Sequence, residues 1–323
     1  MESLINSLLL FFFKMYNSLY DALERIYPTW DFRILDEIKN SETNVGHLLS
    51  DLENAHKIPI DFYSNLSGNM ISDILVSGKR NEIVKGTKVM FDYLSKEVPN
   101  GFNWILSPAR IISATLEYKK QITNSKIAEE LLLDSINFAL EVYQNPDSVV
   151  EQIGQFRENV LYKDSGLLSY PCKFSTDGIS FSAYQPSYSN KTLESLLLQT
   201  NGQPITFVAL ANGGIPAGMD IFLRYRDKVE SPESSIFYST RCSMNKNSDT
   251  RPQLNSWEIR YLWETTGEKP IVLFDEDVSS GLTLAKSREF FRKYFPDNKI
   301  IVKTNKGFVS RVDECSMDYG MAT

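Results

Sequence analysis

Cysteine and histidine are scarce in this chain of 323 residues. The three cysteines, Cys172, Cys242 and Cys315, lie far apart and have neither the spacing of a metal site nor that of a disulfide framework. With only two histidines, His47 and His56, a histidine-rich metal centre and a histidine-dependent catalytic triad both have little support. This cysteine usage fits a reducing compartment, so we expect a cytoplasmic protein.

Several signatures of common functional classes are also missing. The apolar run at residues 4–13 is shorter than the roughly 20 residues that span a bilayer, and it lacks the basic flank and cleavage site of a signal peptide. We interpret it as a buried or partner-facing helix, with a membrane-surface or oligomer contact as the alternative. No P-loop, GxGxxG or GxSxG motif occurs. The net charge of −7 does not support nucleic acid as a partner, because the phosphate backbone needs a basic face. We expect no transmembrane segment.

The composition is that of a folded protein with two domains. Hydrophobic residues make up 42% and charged residues 23% of the chain, which suits a real core, and the length exceeds that of an ordinary small domain. Residues 1–155 read as an all-α domain, with apolar residues at helical spacing and breaks at prolines. The segments predicted as helices are 16–27, 44–55, 81–96, 106–120 and 125–143.

Residues 156–323 follow a different pattern and predict an α/β domain. Short apolar runs typical of buried strands alternate with loops and helices, which predicts a parallel sheet covered on both faces. A stretch rich in Ser, Tyr and Phe at 167–188 predicts additional short strands with a turn at 176–178. The predicted core strands are 205–210, 235–240, 271–274 and 300–304, and a helix is predicted at 284–294.

The segment 271–283, IVLFDEDVSSGLT, carries the strongest chemical signal. A buried strand ends in the acids Asp275 and Glu276, and small hydroxyl residues and a glycine precede a helix. Free N–H groups at a helix N-terminus, with Ser280, Gly281 and Thr283, can form a cup for a phosphate. Carboxylates beside the cup can hold sugar hydroxyls or Mg²⁺. The alternative is an ordinary helix cap with an acidic first turn.

Two further segments upstream contain residues suited to binding anions. Gly213 and Gly214 follow the strand predicted at 205–210, and glycines let backbone N–H groups approach an anion closely. A plain turn is the alternative. The polar loop 241–255 contains the cations Arg241, Lys246 and Arg251, which can neutralise a pyrophosphate, and a solvent loop is the alternative.

Residues 165–323 resemble the type I phosphoribosyltransferases, because 271–283 matches their signature for 5-phosphoribosyl-1-pyrophosphate (PRPP). The resemblance implies a parallel sheet flanked by helices, with 167–190 as a small hood. It implies that the acid pair holds the ribose hydroxyls and Mg²⁺, directly or through water, and that loop 241–255 is a lid. It also implies a homo-oligomer. The implied ligand contacts are Ser279, Ser280, Gly281, Leu282 and Thr283 for the 5′-phosphate; Asn212, Gly213 and Gly214 for pyrophosphate; and Lys306 and Tyr319 for the base.

The segment departs from the family pattern at several positions. Glu276 stands where the family usually has Asp, and Asp277 stands at a usually apolar position. Ser279 takes the place of the acid that acts as a base in purine-type members, and Asn212 replaces a frequent basic or otherwise variable residue. Because family members that bind the ligand without catalysis are known, these departures leave a binding-only role open.

The sequence therefore supports three functions. The first is transfer of phosphoribose from PRPP to a nitrogenous base, with Mg²⁺ as cofactor. The alternative is a nucleotide-sensing or PRPP-sensing regulatory or effector module, for example in a bacterial defence or toxin–antitoxin system, acting on a protein partner through the helical domain. The third is an unrelated α/β protein, such as a nucleotide hydrolase, whose loop only imitates the signature.

Overall fold

The fold is described from a computed structural model for part of the chain. The described residues are 43–55, 107–122, 124–145, 148–172, 186–211, 213–242, 249–278 and 281–307. The helices predicted at 16–27 and 81–96, the turn predicted at 176–178 and the apolar run 4–13 lie outside them.

Helices dominate the N-terminal part of the described chain. The predicted helix at 125–143 is confirmed, and its start is fixed by Asn124, whose side chain accepts hydrogen bonds from the backbone N–H groups of Lys126 (3.1 Å) and Ile127 (3.4 Å). Those predicted at 44–55 and 106–120 are also present, the latter passing into a 3₁₀ turn at Lys119–Gln121. The helices are α1 (Val45–Ala55), α2 (107–118), α3 (Ser125–Gln144) and α4 (Val149–Lys163).

A parallel sheet forms the centre of the C-terminal part. A two-residue antiparallel pair, β1 (Thr43–Asn44) with β2 (Pro171–Cys172), lies apart from it. Within the described ranges the main sheet has four parallel strands in the order β4-β3-β5-β6. These strands are β3 (Thr206–Ala211), β4 (Ile236–Arg241), β5 (Ile271–Val278) and β6 (Ile300–Gly307).

Helices flank this sheet. The connection from β3 to β4 and the connection from β5 to β6 run in opposite directions along the sheet, so right-handed crossovers place their helices on opposite faces. The predicted α/β class, a parallel sheet flanked by helices together with a helical region, is confirmed. The flanking helices are α5 (Pro186–Thr200), α6 (Gly214–Arg226), α7 (Ser256–Thr266) and α8 (Leu282–Tyr294).

One hydrophobic core runs through both parts of the described chain. At its centre Phe207 of β3 packs against Phe222, Phe237 and Phe274, with ring centroids 5.6–6.1 Å apart. The predicted domain boundary at residue 155 lies inside α4, which packs against α3. The division into two domains stays a prediction, and the described residues of the helical part and of the sheet share one core of buried side chains.

The short strands expected at 167–188 are found in part, because β2 occupies Pro171–Cys172, whereas residues 167–169 and 186–188 are helical. Residues Ser165–Ser169 form a 3₁₀ helix. The Asp164 side chain accepts a hydrogen bond from the backbone N–H of Gly166 at 3.0 Å and stabilises the first turn of this helix. At the other end Pro186 begins α5, where its fixed φ favours the first turn of a helix. Among the described residues, no helix is long and apolar enough to cross a membrane.

Candidate functional site

The strand order of the described sheet contains a position suited to a ligand. From β3 the chain continues through α6 to β4 on one side, whereas β5 pairs with β3 on the other side. This is a topological switch point, where ligands bind beyond the carboxyl ends of the strands in open parallel sheets. The two segments singled out in the sequence, the glycine turn after β3 and the acidic segment of β5, both lie at this point.

The acids of β5 lie directly over the two glycines, and we refer to Gly213, Gly214, Asp275 and Glu276 as the glycine–acid contact. A Cβ atom added at Gly213 would overlap the Glu276 carboxylate. A Cβ atom at Gly214 would lie 3.1 Å from the carbonyl oxygen of Phe274 and 3.7 Å from the Asp275 Oδ1. The absence of side chains at both positions therefore lets the two segments approach each other.

The acidic segment continues the strand rather than ending it. The predicted strand ends at residue 274, but β5 reaches Val278, since Asp275 pairs in register with Thr304 of β6 and Asp277 with Lys306. Asp275 and Glu276 are half-buried, whereas Asp277 is exposed. The strand pairing holds the backbone of the acid pair in a regular geometry at the open end of the sheet.

The segment predicted to bind phosphate leads into a helix, as expected. Gly281 has a φ of 71°, a left-handed conformation that favours glycine, and α8 begins at the next residue. Leu282 is 45% exposed and Thr283 is half-buried in the first turn. Ser279 and Ser280 lie outside the described residues. In the described part of the segment, Gly281 therefore forms a turn that leads directly into the N-terminus of α8.

Of the predicted lid cations, Arg241 is already engaged by acids. Its Nη1 donates to both carboxylate oxygens of Glu117 (2.7 and 2.9 Å), and its Nη2 donates to the Asp249 Oδ1 (2.7 Å). Burial raises the pKa of Glu117, although the Arg241 charge opposes this shift. Arg251 is exposed, and Lys246 lies outside the described residues. Arg241 therefore joins the end of β4 to the helical part of the chain.

A second ion pair lies beside the first. Lys119 donates to the Glu258 Oε1 at 2.6 Å and to the carbonyl oxygen of Gln253 at 3.0 Å. Glu258 is fully buried, accepts the Tyr238 hydroxyl at 2.9 Å and completes a capping box with Asn255 at the start of α7. We refer to these two linked ion-pair groups as the charged junction, which comprises Glu117, Lys119, Arg241, Asp249 and Glu258.

Burial beside the charged junction changes the pKa of Glu129 on α3. Desolvation, together with the negative charges of Glu258, Glu130 and Glu264, raises this pKa to about 7, whereas the charge of Lys119 lowers it. The carboxyl of Glu129 therefore titrates near neutral pH, which distinguishes it from an exposed glutamate.

The buried cysteines are not suited to nucleophilic chemistry. Burial raises the pKa of Cys242 to about 11, with the charge of Asp275 contributing, and burial raises the pKa of Cys172 to about 12. Because the thiolate is the reactive form, both thiols are inert at neutral pH.

The acid pair fits one mode of magnesium binding. Within the described ranges, no group of three or more His, Cys, Asp or Glu side chains is placed to hold a metal ion. Mg²⁺ is commonly bound by one or two carboxylates together with ligand phosphates and water. Two adjacent acids at an open crevice suit that mode, and they do not suit a cage made by protein ligands alone.

The remaining predicted contacts are described only in part. Lys306 lies in β6 beside Asp277, and its side chain is outside the described residues, as are Asn212 and Tyr319. The sequence reasoning missed the charged junction. Its only local signal was Asn255 followed three residues later by Glu258, a capping-box pattern that predicts the start of α7.

Comparison with known proteins adds one structural likeness. No family model and no curated protein matches the chain. Among solved structures, a xanthine-guanine-hypoxanthine phosphoribosyltransferase from Helicobacter pylori is similar at 17% identity and a TM-score of 0.27, covering 38% of this chain and 72% of that chain. The fold class assigned above therefore rests on the sheet topology itself.

Proposed function

We propose that this chain binds PRPP or a related ribose phosphate with Mg²⁺ and transfers the phosphoribosyl group to a nitrogenous base. The observation that carries the proposal is the glycine–acid contact at the switch point of the sheet. It brings together two segments that are more than 60 residues apart in the chain and that each contain groups suited to one part of such a ligand.

Each group has a role that follows from its chemistry. Asp275 and Glu276 accept hydrogen bonds from the two ribose hydroxyls and fix the orientation of the sugar. Backbone N–H groups in 279–283 hold the 5′-phosphate at the start of α8, where the helix terminus favours an anion. Ser279 contributes a hydroxyl on the same loop. Asn212, Gly213 and Gly214 lie on the pyrophosphate side of the ribose.

Transfer breaks the bond between the anomeric carbon and pyrophosphate and forms a bond from that carbon to the base nitrogen. Positive charge develops on the sugar, and negative charge develops on the departing pyrophosphate. Bound Mg²⁺ would supply positive charge to the pyrophosphate oxygens. The residues of the chain contribute positioning, since no described thiol is ionised at neutral pH. Lys246 and Arg251 are the lid cations proposed to face the pyrophosphate, and Lys306 and Tyr319 are proposed to contact the base.

Calorimetric titration of PRPP into the purified protein, with and without Mg²⁺, tests this proposal. A pyrophosphate-release assay across a panel of nucleobases follows. Mg²⁺-dependent binding with release on one base is the expected result, and it also identifies the acceptor. Absence of PRPP binding under both conditions would refute the proposed ligand.

A sensing module is the second proposal, and the engagement of Arg241 favours it. This predicted lid cation is held by Glu117 of the helical part, so a ligand that attracts Arg241 would weaken a contact between the two parts of the chain. Mg²⁺-dependent PRPP binding without pyrophosphate release on any base is the outcome that favours sensing. Homo-oligomerisation, a protein partner and a cytoplasmic location stay predictions from the sequence.

A further inference from the structure

The Glu276 carboxylate occupies the space beside Gly213 in which a side chain would otherwise lie. Gly213 immediately precedes α6, a helix of 13 residues. As a glycine, it has no side chain that could cap this helix. The surface of the glycine turn that is proposed to meet pyrophosphate is therefore covered by a negatively charged side chain of the same molecule.

A carboxylate and a pyrophosphate cannot share that surface without a cost. Like charges brought together in a partly desolvated crevice repel strongly, and the repulsion is larger there than in open water. Glu276 is half-buried, so water screens its charge only in part. An incoming anion must displace the carboxylate or arrive with its own charge offset by a cation.

The two acids approach different glycines, because successive residues of a strand point to opposite faces. Asp275 Oδ1 would lie 3.7 Å from a Cβ atom at Gly214, whereas the Glu276 carboxylate overlaps the corresponding position at Gly213. An aspartate at position 276 is about one carbon–carbon bond shorter and would leave part of that surface open.

We propose that Glu276 is a specificity-determining residue that makes pyrophosphate binding conditional on the divalent cation. The carboxylate repels metal-free pyrophosphate at Gly213, and it would tolerate the magnesium complex because the cation would offset the negative charge of the ligand. This inference rests on the proposed function, and it assigns to one side chain of this chain a selectivity between two forms of the same ligand.

Titration calorimetry with inorganic pyrophosphate, in the presence of either Mg²⁺ or a chelator, tests the inference on the intact chain. We expect the wild-type protein to bind the magnesium form at least about tenfold more tightly than the metal-free form, because a close like charge costs more than 1 kcal/mol. Glu276→Gln should reduce this ratio about tenfold, mainly through tighter binding of metal-free pyrophosphate. Glu276→Asp should give an intermediate ratio.

Asp277→Asn is the matched control, since it removes one charge at the next position of β5 from an exposed side chain. It should change the ratio less than about twofold because an exposed charge is well screened. The inference is wrong if Glu276→Gln leaves the ratio unchanged, or if Asp277→Asn lowers it equally. If neither form of pyrophosphate binds to any of these proteins, the proposed function fails together with the inference. Wild-type binding of the magnesium form with an unchanged ratio in Glu276→Gln overturns the inference alone.

Discussion

Two polar regions at the sheet, one beside β4 and one at the end of β5, arrange their charged side chains differently. In the charged junction, next to β4, each acid has a cation at a measured distance below 3 Å, as in the pair of Lys119 with Glu258 at 2.6 Å. In the glycine–acid contact, at the end of β5, the half-buried residues Asp275 and Glu276 lie over bare glycine backbone, and one oxygen of the Glu276 carboxylate is fully buried. The junction pairs each acid with a cation, whereas the contact places two adjacent acids at the carboxyl end of a strand.

The difference separates structural charge from charge that is available to a ligand. A buried ion needs a fixed partner, because an uncompensated charge in the interior costs several kcal/mol. Asp275 and Glu276 lie at the carboxyl end of β5, where ligands bind in open parallel sheets, so their placement is suited to binding. We therefore expect variants of the junction to change stability, and variants of the contact to change binding.

Removal of Glu258 should have the largest effect on stability. Glu258→Ala leaves Lys119 buried without its carboxylate and removes the acceptor of the Tyr238 hydroxyl, so we expect a loss of about 3–5 kcal/mol in the free energy of unfolding. Urea denaturation measures this loss. The control is Glu264→Ala, which removes a 53% exposed acid from a surface pair and should cost less than about 1 kcal/mol. Equal losses for both variants would contradict the distinction between the two regions.

The second largest effect on stability is expected from pH, through the carboxyl group of Glu129. Its pKa in the folded state is raised from 4.5 to about 7, so the folded protein binds a proton that the unfolded chain releases between these pH values. Stability should therefore fall as the pH rises from about 4.5 to 7, by on the order of 2 kcal/mol. Glu129→Gln should remove this slope. Denaturation at pH 5, 6, 7 and 8 measures it, and parallel curves for the two proteins would argue against the assignment.

Gly218 should show how tightly α6 is held against the sheet. A Cβ atom there would lie 3.0 Å from the Phe207 Cε1 and 3.2 Å from both the Ala209 Cβ and the Phe274 Cδ1. Gly218→Ala should therefore cost about 1–2 kcal/mol through overpacking. Gly154→Ala is the control, because no described atom lies within 4 Å of the added methyl group. In thermal denaturation it should raise stability by about 0.5–1 kcal/mol. A gain in both variants would mean that α6 can shift away from the sheet.

The smallest effect on stability is expected at the glycine–acid contact. Asp275→Asn combined with Glu276→Gln should change the free energy of unfolding by less than about 1 kcal/mol, because neither residue belongs to the hydrophobic core and both amides keep the shape of the acids. The same variant should lose turnover with PRPP, measured by pyrophosphate release. A loss of several kcal/mol in denaturation would instead assign a structural role to the pair.

Local sequence patterns predicted many of the strands and helices. The four strands and the helix after Asn124 lie within a few residues of their predicted positions, because apolar runs and helix caps act over short distances. Strands β5 and β6 extend further than predicted. The helices α4, α5 and α7 were missed. In α5 the buried residues include Ser189 and Thr192, which hydrogen-bond Asn305 of β6, beside Leu193 and Leu196, so its inner face mixes polar and apolar side chains.

The sequence predicted only part of the candidate site, because its patterns report contacts over short distances along the chain. The glycine turn and the acidic segment could each be recognised from local sequence, as could their order along the chain. Their contact could not, because it depends on β3 and β5 being neighbours in the sheet. The engagement of Arg241 by Glu117, 124 residues away in the chain, has no local signal in the sequence either.

Residue types and short-range spacing specified the α/β class, the main strands and the groups able to meet a phosphorylated ligand. Packing of the whole chain determined which of these groups meet. The placement of Glu276 on Gly213 and the burial of Lys119 with Glu258 both arise from strand order and from a core shared by the helical part and the sheet. Such long-range contacts follow from the summed burial of many side chains, so no single segment of the sequence contains them.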